Sequence, residues 1–99
     1  MKQELIPIEA RVVEYVRGAL VDDFQEGGFG ASDGTLLKLD APPEAAGRER
    51  MVYHNQAPPE DSFWRREGAR IRAKMDKRDF DDDSRLVFTD GLYDVGEMR

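Results

Sequence analysis

The sequence predicts a mainly β domain: a small five-stranded barrel with one short helix. Three observations carry that expectation. Apolar and charged side chains alternate along the eight residues from Ala69 to Asp76, the two-residue repeat of a half-buried strand. The β-branched residues Val12, Val13 and Val16 concentrate near the start of the chain, where they favour extended backbone. Turn-forming clusters at Gln25 to Gly34, Ala41 to Gly47, Asn55 to Asp61 and Asp79 to Ser84 cut the rest into short lengths.

Each element has its own local warrant. Ile8 to Val21 is read as a long strand, bent or turned at Gly18. Ile8, Val12, Val16, Ala19 and Leu20 also fit one helical face, with Pro7 as a helix opener. The alternative is therefore an α+β fold, with a helix over Ile8 to Phe24 packed on a four-stranded sheet. Thr35 to Leu39 and Arg50 to His54 are two short strands separated by the Pro42-Pro43 turn. Pro59 to Glu67 is a short helical turn, with proline suited to its first position and Trp64 placed to plug a core. From Gly68 to Asp76, the residues Ala69, Ile71, Ala73 and Met75 face one way and Arg70, Arg72, Lys74 and Asp76 the other. A helix here would split that apolar set and carry Gly68 at a cost of about 1 kcal/mol. Asp79 to Ser84 is an acidic hairpin loop, and Arg85 to Thr89 is the last strand, with Leu86 and Phe88 on one face.

The chain has 99 residues, enough for one small domain spanning 1–99. A folded monomer of this mass should expose roughly 5,700 Å². Leu, Ile, Val and Phe total 22, and charged residues reach 36%, so a thin core sits inside a charged shell. There is no cysteine, which removes disulfides, thiolate nucleophiles and sulfur-ligated zinc. A small secreted domain often needs such staples, so a cytoplasmic location is expected. No apolar run is long enough to span a membrane, and the first residues lack the apolar stretch of a signal peptide. The net charge of −6 disfavours a general polyanion binder. The charge is uneven: Ser62 to Arg78 carries +5 and the remainder −11.

The order strand, strand, strand, helical turn, strand, strand is that of an OB-fold barrel, whose closure removes exposed sheet edges. Two parts of the chain resemble S1-type domains, an RNA-binding branch of that fold. Ala10-Arg11-Val12-Val13-Glu14-Tyr15-Val16-Arg17-Gly18-Ala19-Leu20-Val21 is similar to the opening strand, Gly-Ala turn and second strand. Glu67 to Asp76 and Arg85-Leu86-Val87-Phe88-Thr89 are similar to the closing strands. Together they cover about a third of the chain. The resemblance implies an OB-like fold. It does not extend to the family's base-stacking residues: Arg17 and Leu20 stand where aromatics flank the turn, and no histidine lies near Gly28-Phe29-Gly30. Tyr15 and Phe29 are the nearest substitutes.

Several groups bear on chemistry. Arg70, Arg72 and Lys74 share the outer face of one strand and would track a phosphate backbone, with Trp64 or Tyr53 as stacking partners and Arg65 adding charge. The competing reading is a solvated face paired with nearby acids. Asp79, Asp81, Asp83 and Asp90 have spacing similar to a calcium loop. Ser84 replaces its glycine and Asp90 its closing Glu, so a charged loop is the reading preferred. Gly27-Gly28-Phe29-Gly30 lacks the Lys-Ser/Thr of a phosphate loop and reads as a flexible loop. His54, the one histidine, has no nucleophile pattern around it. Phe24, Phe29, Phe63 and Trp64 would cap the barrel ends or anchor a partner.

The expectation for function is a non-catalytic binding or adaptor module that recognises a protein partner, with no cofactor. Single-stranded nucleic-acid binding through the basic strand face is the alternative. An enzyme or small-ligand binder is a third, for which a closed, partly apolar pocket containing His54 would be required.

Overall fold

The computed structural model describes residues 3–24 and 28–99. Among them are five strands: β1 (Leu5–Phe24), β2 (Gly28–Ala41), β3 (Glu49–Tyr53), β4 (Arg70–Asp76) and β5 (Tyr93–Met98). One α-helix, α1, spans Lys77–Asp81. Single 3-10 turns lie at Pro43–Ala45, Phe63–Arg65 and Thr89–Gly91. The strands form one antiparallel sheet in the order β3-β2-β1-β4-β5. The fold is thus mainly β, with five antiparallel strands and one short helix.

β1 resolves the ambiguity of the first third of the chain in favour of a strand. Ile8, Ala10 and Val12 are all buried, a two-residue repeat that only extended backbone produces. Its register against β2 shifts between Val16 and Leu20. Gly18 sits inside that shift at φ +61°, a value that glycine adopts without strain. The bend expected at Gly18 is there, and no helix forms over Ile8 to Phe24.

Past this bend, β1 and β2 pair only with each other, because β4 covers β1 from Leu5 to Arg11 and β3 covers β2 from Gly34 to Lys38. The glycine-rich stretch expected as a loop is therefore strand from Gly28 onward. Backbone pairing tolerates glycine where the opposite strand supplies the ladder partner. The flexible loop expected at Gly27-Gly28-Phe29-Gly30 is thereby corrected for Gly28 to Gly30, which pair with β1. Residues 25–27 and the side chains of Phe24 and Phe29 lie outside the described residues, and with them the aromatic-anchor expectation for those two. The exposed area, 6619 Å², exceeds the size-based expectation, in keeping with this two-stranded extension.

The inner face of the sheet carries the core. Leu37, Val52, Ile71, Met75 and Val87 are its most buried large side chains. Trp64 plugs one end, as expected. Its turn is opened by Ser62, whose Oγ accepts from the Trp64 amide at 3.1 Å, rather than by a proline.

Three expectations are corrected. Arg85 to Thr89 forms no strand of the sheet. It touches β3 through one isolated parallel bridge, Tyr53 to Phe88, with the Tyr53 amide donating to the Val87 carbonyl at 2.8 Å. The phase also differs: Val87 is buried while Leu86 is exposed. The sheet is consequently not closed into a barrel. The last strand is β5, whose two acids and glycine hide its period. The acidic stretch is not a hairpin loop either. It begins as α1, whose first amides are capped by the Asp76 carboxylate accepting from Arg78 N at 2.8 Å.

Buried Arg50 holds the chain after α1 in place. Its guanidinium donates to the carbonyls of Asp79 at 2.7 Å, Asp82 at 3.0 Å and Arg85 at 3.2 Å. A planar donor fork suits several fixed carbonyls at once, and here it replaces the ladder that a strand would have made. Among the described residues, no helix is long and apolar enough to cross a membrane.

Candidate functional site

Strand β4 keeps the alternation read from its sequence as far as Met75. Asp76, expected on the charged face, is instead buried, because its carboxylate turns in to accept from Gln3 and from the Arg78 amide at the start of α1. Ile71, Ala73 and Met75 are buried, while Arg70, Arg72 and Lys74 are exposed. Residues directly opposite in an antiparallel pair share a face, so the register assigns neighbours to each cation. Arg70 lies opposite Arg11 of β1, and Arg11 lies opposite Lys38 of β2. Three positive side chains thus line up across three adjacent strands, at about 4.8 Å per strand. All three are exposed. One repeat further along β4, Arg72 lies between Glu9 of β1 and Gly96 of β5. Lys74 lies between Pro7 and Tyr93.

Like charges directly opposite one another destabilise a sheet. Only part of the row is neutralised. Arg11 pairs with Asp40 at 3.1 Å, and Lys74 pairs with Asp94 at 3.2 Å. Lys38, Arg70 and Arg72 have no ion-pair partner among the described residues. Of the three β4 cations, Lys74 is the one paired with an acid among the described residues. A cleft of about 380 Å³ opens on the same face, lined by Pro7, Glu9, Ala41, Arg72, Lys74 and Asp94.

The other residues singled out from the sequence lie elsewhere. Trp64 is buried, with its ring 5.0 Å from Phe63 and 5.5 Å from His54. Phe63 packs against the core beside it. Tyr53 is on β3, at the far edge of the sheet, with its ring 5.8 Å from that of Phe88. Neither is a stacking platform for the β4 face. Arg65 donates to the Pro58 carbonyl at 2.9 Å and stacks 4.4 Å over the Tyr15 ring. The exposed aromatic that does neighbour the basic strand is Tyr93, in register with Lys74. Its hydroxyl meets the Gln3 amide.

The four acids with calcium-loop spacing go to different partners. Asp79 accepts from Arg85 at 2.7 Å, Asp81 pairs with Lys77, Asp83 pairs with Arg48, and Asp90 accepts from Asn55. Among the described residues, no three His, Asp or Glu side chains gather to hold a metal ion.

A second polar group lies at the Trp64 end. His54 and Thr35 are buried. The Thr35 hydroxyl donates to the Trp64 carbonyl at 2.9 Å, so it accepts from His54 Nε2 at 2.8 Å. Asp33 accepts from the Tyr15 hydroxyl at 2.5 Å and from the Gly18 amide at 2.9 Å. Burial lowers the His54 pKa, an effect opposed by Asp33 and reinforced by Arg65. Burial, then the Asp33 carboxylate, pushes Tyr15 up to about 12. The hydrogen bonds from Tyr15 and Gly18 lower Asp33. His54 is enclosed by side chains and does not line the cleft. Its two nitrogens face threonine hydroxyls, Thr35 at 2.8 Å and Thr89 at 3.5 Å.

Lys38 and Arg11 were not singled out from the sequence. Both are single charges on alternating strands, and only the β1–β2 and β1–β4 registers bring them beside Arg70. No family model matches the chain, and no curated protein or solved structure matches it either.

Proposed function

We propose that this chain is a non-catalytic binding module that recognises a protein partner through the outer face of β1, β2 and β4. One observation carries the reading: Lys38, Arg11 and Arg70 align across three strands, and Lys38, Arg70 and Arg72 stand without ion-pair partners among the described residues. An alignment that works against sheet stability is relieved when an anionic partner lies over it. Acids interrupt the face at Glu9, Asp40 and Asp94, so it meets discrete carboxylates better than a continuous polyanion. A cytoplasmic location and an OB-like scaffold left open beside β3 belong to the same reading. The one histidine is held in a structural network, which supports leaving catalysis out.

Tyr93 supports the second reading, single-stranded nucleic acid, because it is an exposed aromatic in register with Lys74.

The test compares proteins captured from a lysate of the source cell by the wild-type chain and by the double variant Arg70→Glu with Arg72→Glu. A partner held by the wild type, released by salt and missing from the variant is expected. Identical captures from both would overturn the assignment to this face. Nuclease treatment that abolishes capture would transfer the assignment to nucleic acid.

A further inference from the structure

Resting on that reading, we infer that the partner segment is extended and carries acidic side chains at alternate positions, i and i+2, that meet Arg70 and Arg72 together. Arg70 and Arg72 are the exposed members of a regular strand, two residues apart, so their stems are separated by about 6.8 Å. An extended peptide obeys the same two-residue repeat, so acids at i and i+2 project from one side at that same interval. A helix puts its same-side acids three or four residues apart, about 5–6 Å, which is short of that interval.

The surroundings limit the ligand further. Arg11 is held by Asp40 and Lys74 by Asp94, so two guanidinium groups side by side on β4 have no ion-pair partner among the described residues. Each guanidinium offers a planar fork that matches a carboxylate in bidentate geometry. Beyond Arg72 the face turns into the cleft of about 380 Å³, with Pro7 and Ala41 in its wall and Asp94 at its rim. Pro7 and Ala41 give the cleft room for a small apolar side chain following the second acid. A phosphodiester chain carries a charge at every residue, and Glu9, Asp40 and Asp94 interrupt the face that it would follow.

The test uses three labelled probes, measured by fluorescence anisotropy at low and physiological salt. They are a twelve-residue polythreonine peptide with two Asp at i and i+2, its isomer with the two Asp at i and i+3, and a single-stranded oligodeoxythymidine. Two arginine pairs engaged at once should favour the i, i+2 peptide by roughly five-fold over the i, i+3 isomer. Arg70→Gln with Arg72→Gln should remove that preference, and circular dichroism should show the fold unchanged, because both side chains are exposed. Equal affinity for the two peptides, still lost in the variant, would overturn the spacing and leave the binding face standing. Failure of both peptides to bind even at low salt would overturn the inference about acidic segments. Tighter binding of the oligonucleotide, lost on Tyr93→Ala, would overturn the protein reading as well.

Discussion

The two polar regions of this molecule are built on opposite plans. At the Trp64 end, Thr35, His54, Tyr15 and Asp33 are wholly or partly buried, and each has a hydrogen-bond partner within the chain. On the outer face, Lys38, Arg70 and Arg72 are exposed, aligned with a like charge or beside one, and not paired among the described residues. Buried polar groups must be satisfied internally or they destabilise the fold. Exposed cations are satisfied by water and are free to exchange it for a partner. The difference separates a network that holds the structure from a face whose charge is left to the solvent, although histidine, aspartate and tyrosine look more like chemistry on paper than a lysine and two arginines do.

Substitutions sharpen that contrast, beginning with the largest expected effect. Trp64→Ala should destabilise the fold by about 3–5 kcal/mol, as deletion of a buried aromatic does. That is a large part of a small domain's stability and should appear as a much lower urea midpoint. A loss under about 1 kcal/mol would mean that the Trp64 end is not the structural half.

The second concerns pH. Burial lowers the His54 pKa below its ordinary value of 6.5, so between the two values the unfolded chain binds a proton that the folded chain does not. Stability is then complete above about pH 6.5 and falls as pH drops through it, by at most about 1.4 kcal/mol per pH unit. Urea midpoints measured from pH 8 to pH 5 should show this slope, and His54→Gln should flatten it. An equal slope in both proteins would place the titrating group elsewhere.

The smallest effect belongs to the outer face. Arg70→Gln removes one member of the like-charge row, so it should leave stability unchanged or raise it by a few tenths of a kcal/mol. Binding to the captured partner should weaken in the same variant. A clear fall in the urea midpoint would show that Arg70 is structural and would erase the distinction drawn between the two regions.

Much of the scaffold was legible in the chain, because its signals are local. The alternation from Ala69 to Met75 specified β4 and both of its faces, including the exposure of Arg70, Arg72 and Lys74, and it failed at Asp76, which is buried as the cap of α1. Val12 and Val16 outweighed the helical spacing of Ile8, Ala19 and Leu20, and Gly18 marked the bend. Where local signals conflict with long-range contacts, the reading failed. Leu86 and Phe88 alternate like a strand, yet Arg50 ties the preceding carbonyls and Val87 alone docks into the core. β5 has a weak pattern because Gly96, Asp94 and Glu97 dilute it, and it forms because β4 offers an edge. Trp64 and Tyr53 were assigned to the basic strand by their residue type, and the sheet order puts one in the core and the other on the far edge.

By itself, the sequence determined the class of the fold, the bend at Gly18, and which side chains of β4 face the solvent as far as Met75. All three follow from backbone preference and the two-residue repeat, which act over a few neighbouring residues. Only the tertiary structure decided that Arg11 and Lys38 stand beside Arg70, that Asp40 and Asp94 neutralise just two of the five cations, and that His54 is enclosed. Those outcomes depend on the registers of β1 with β2 and β4 and on the shifts within them, and a one-residue slip in either would turn the same charges to the other face.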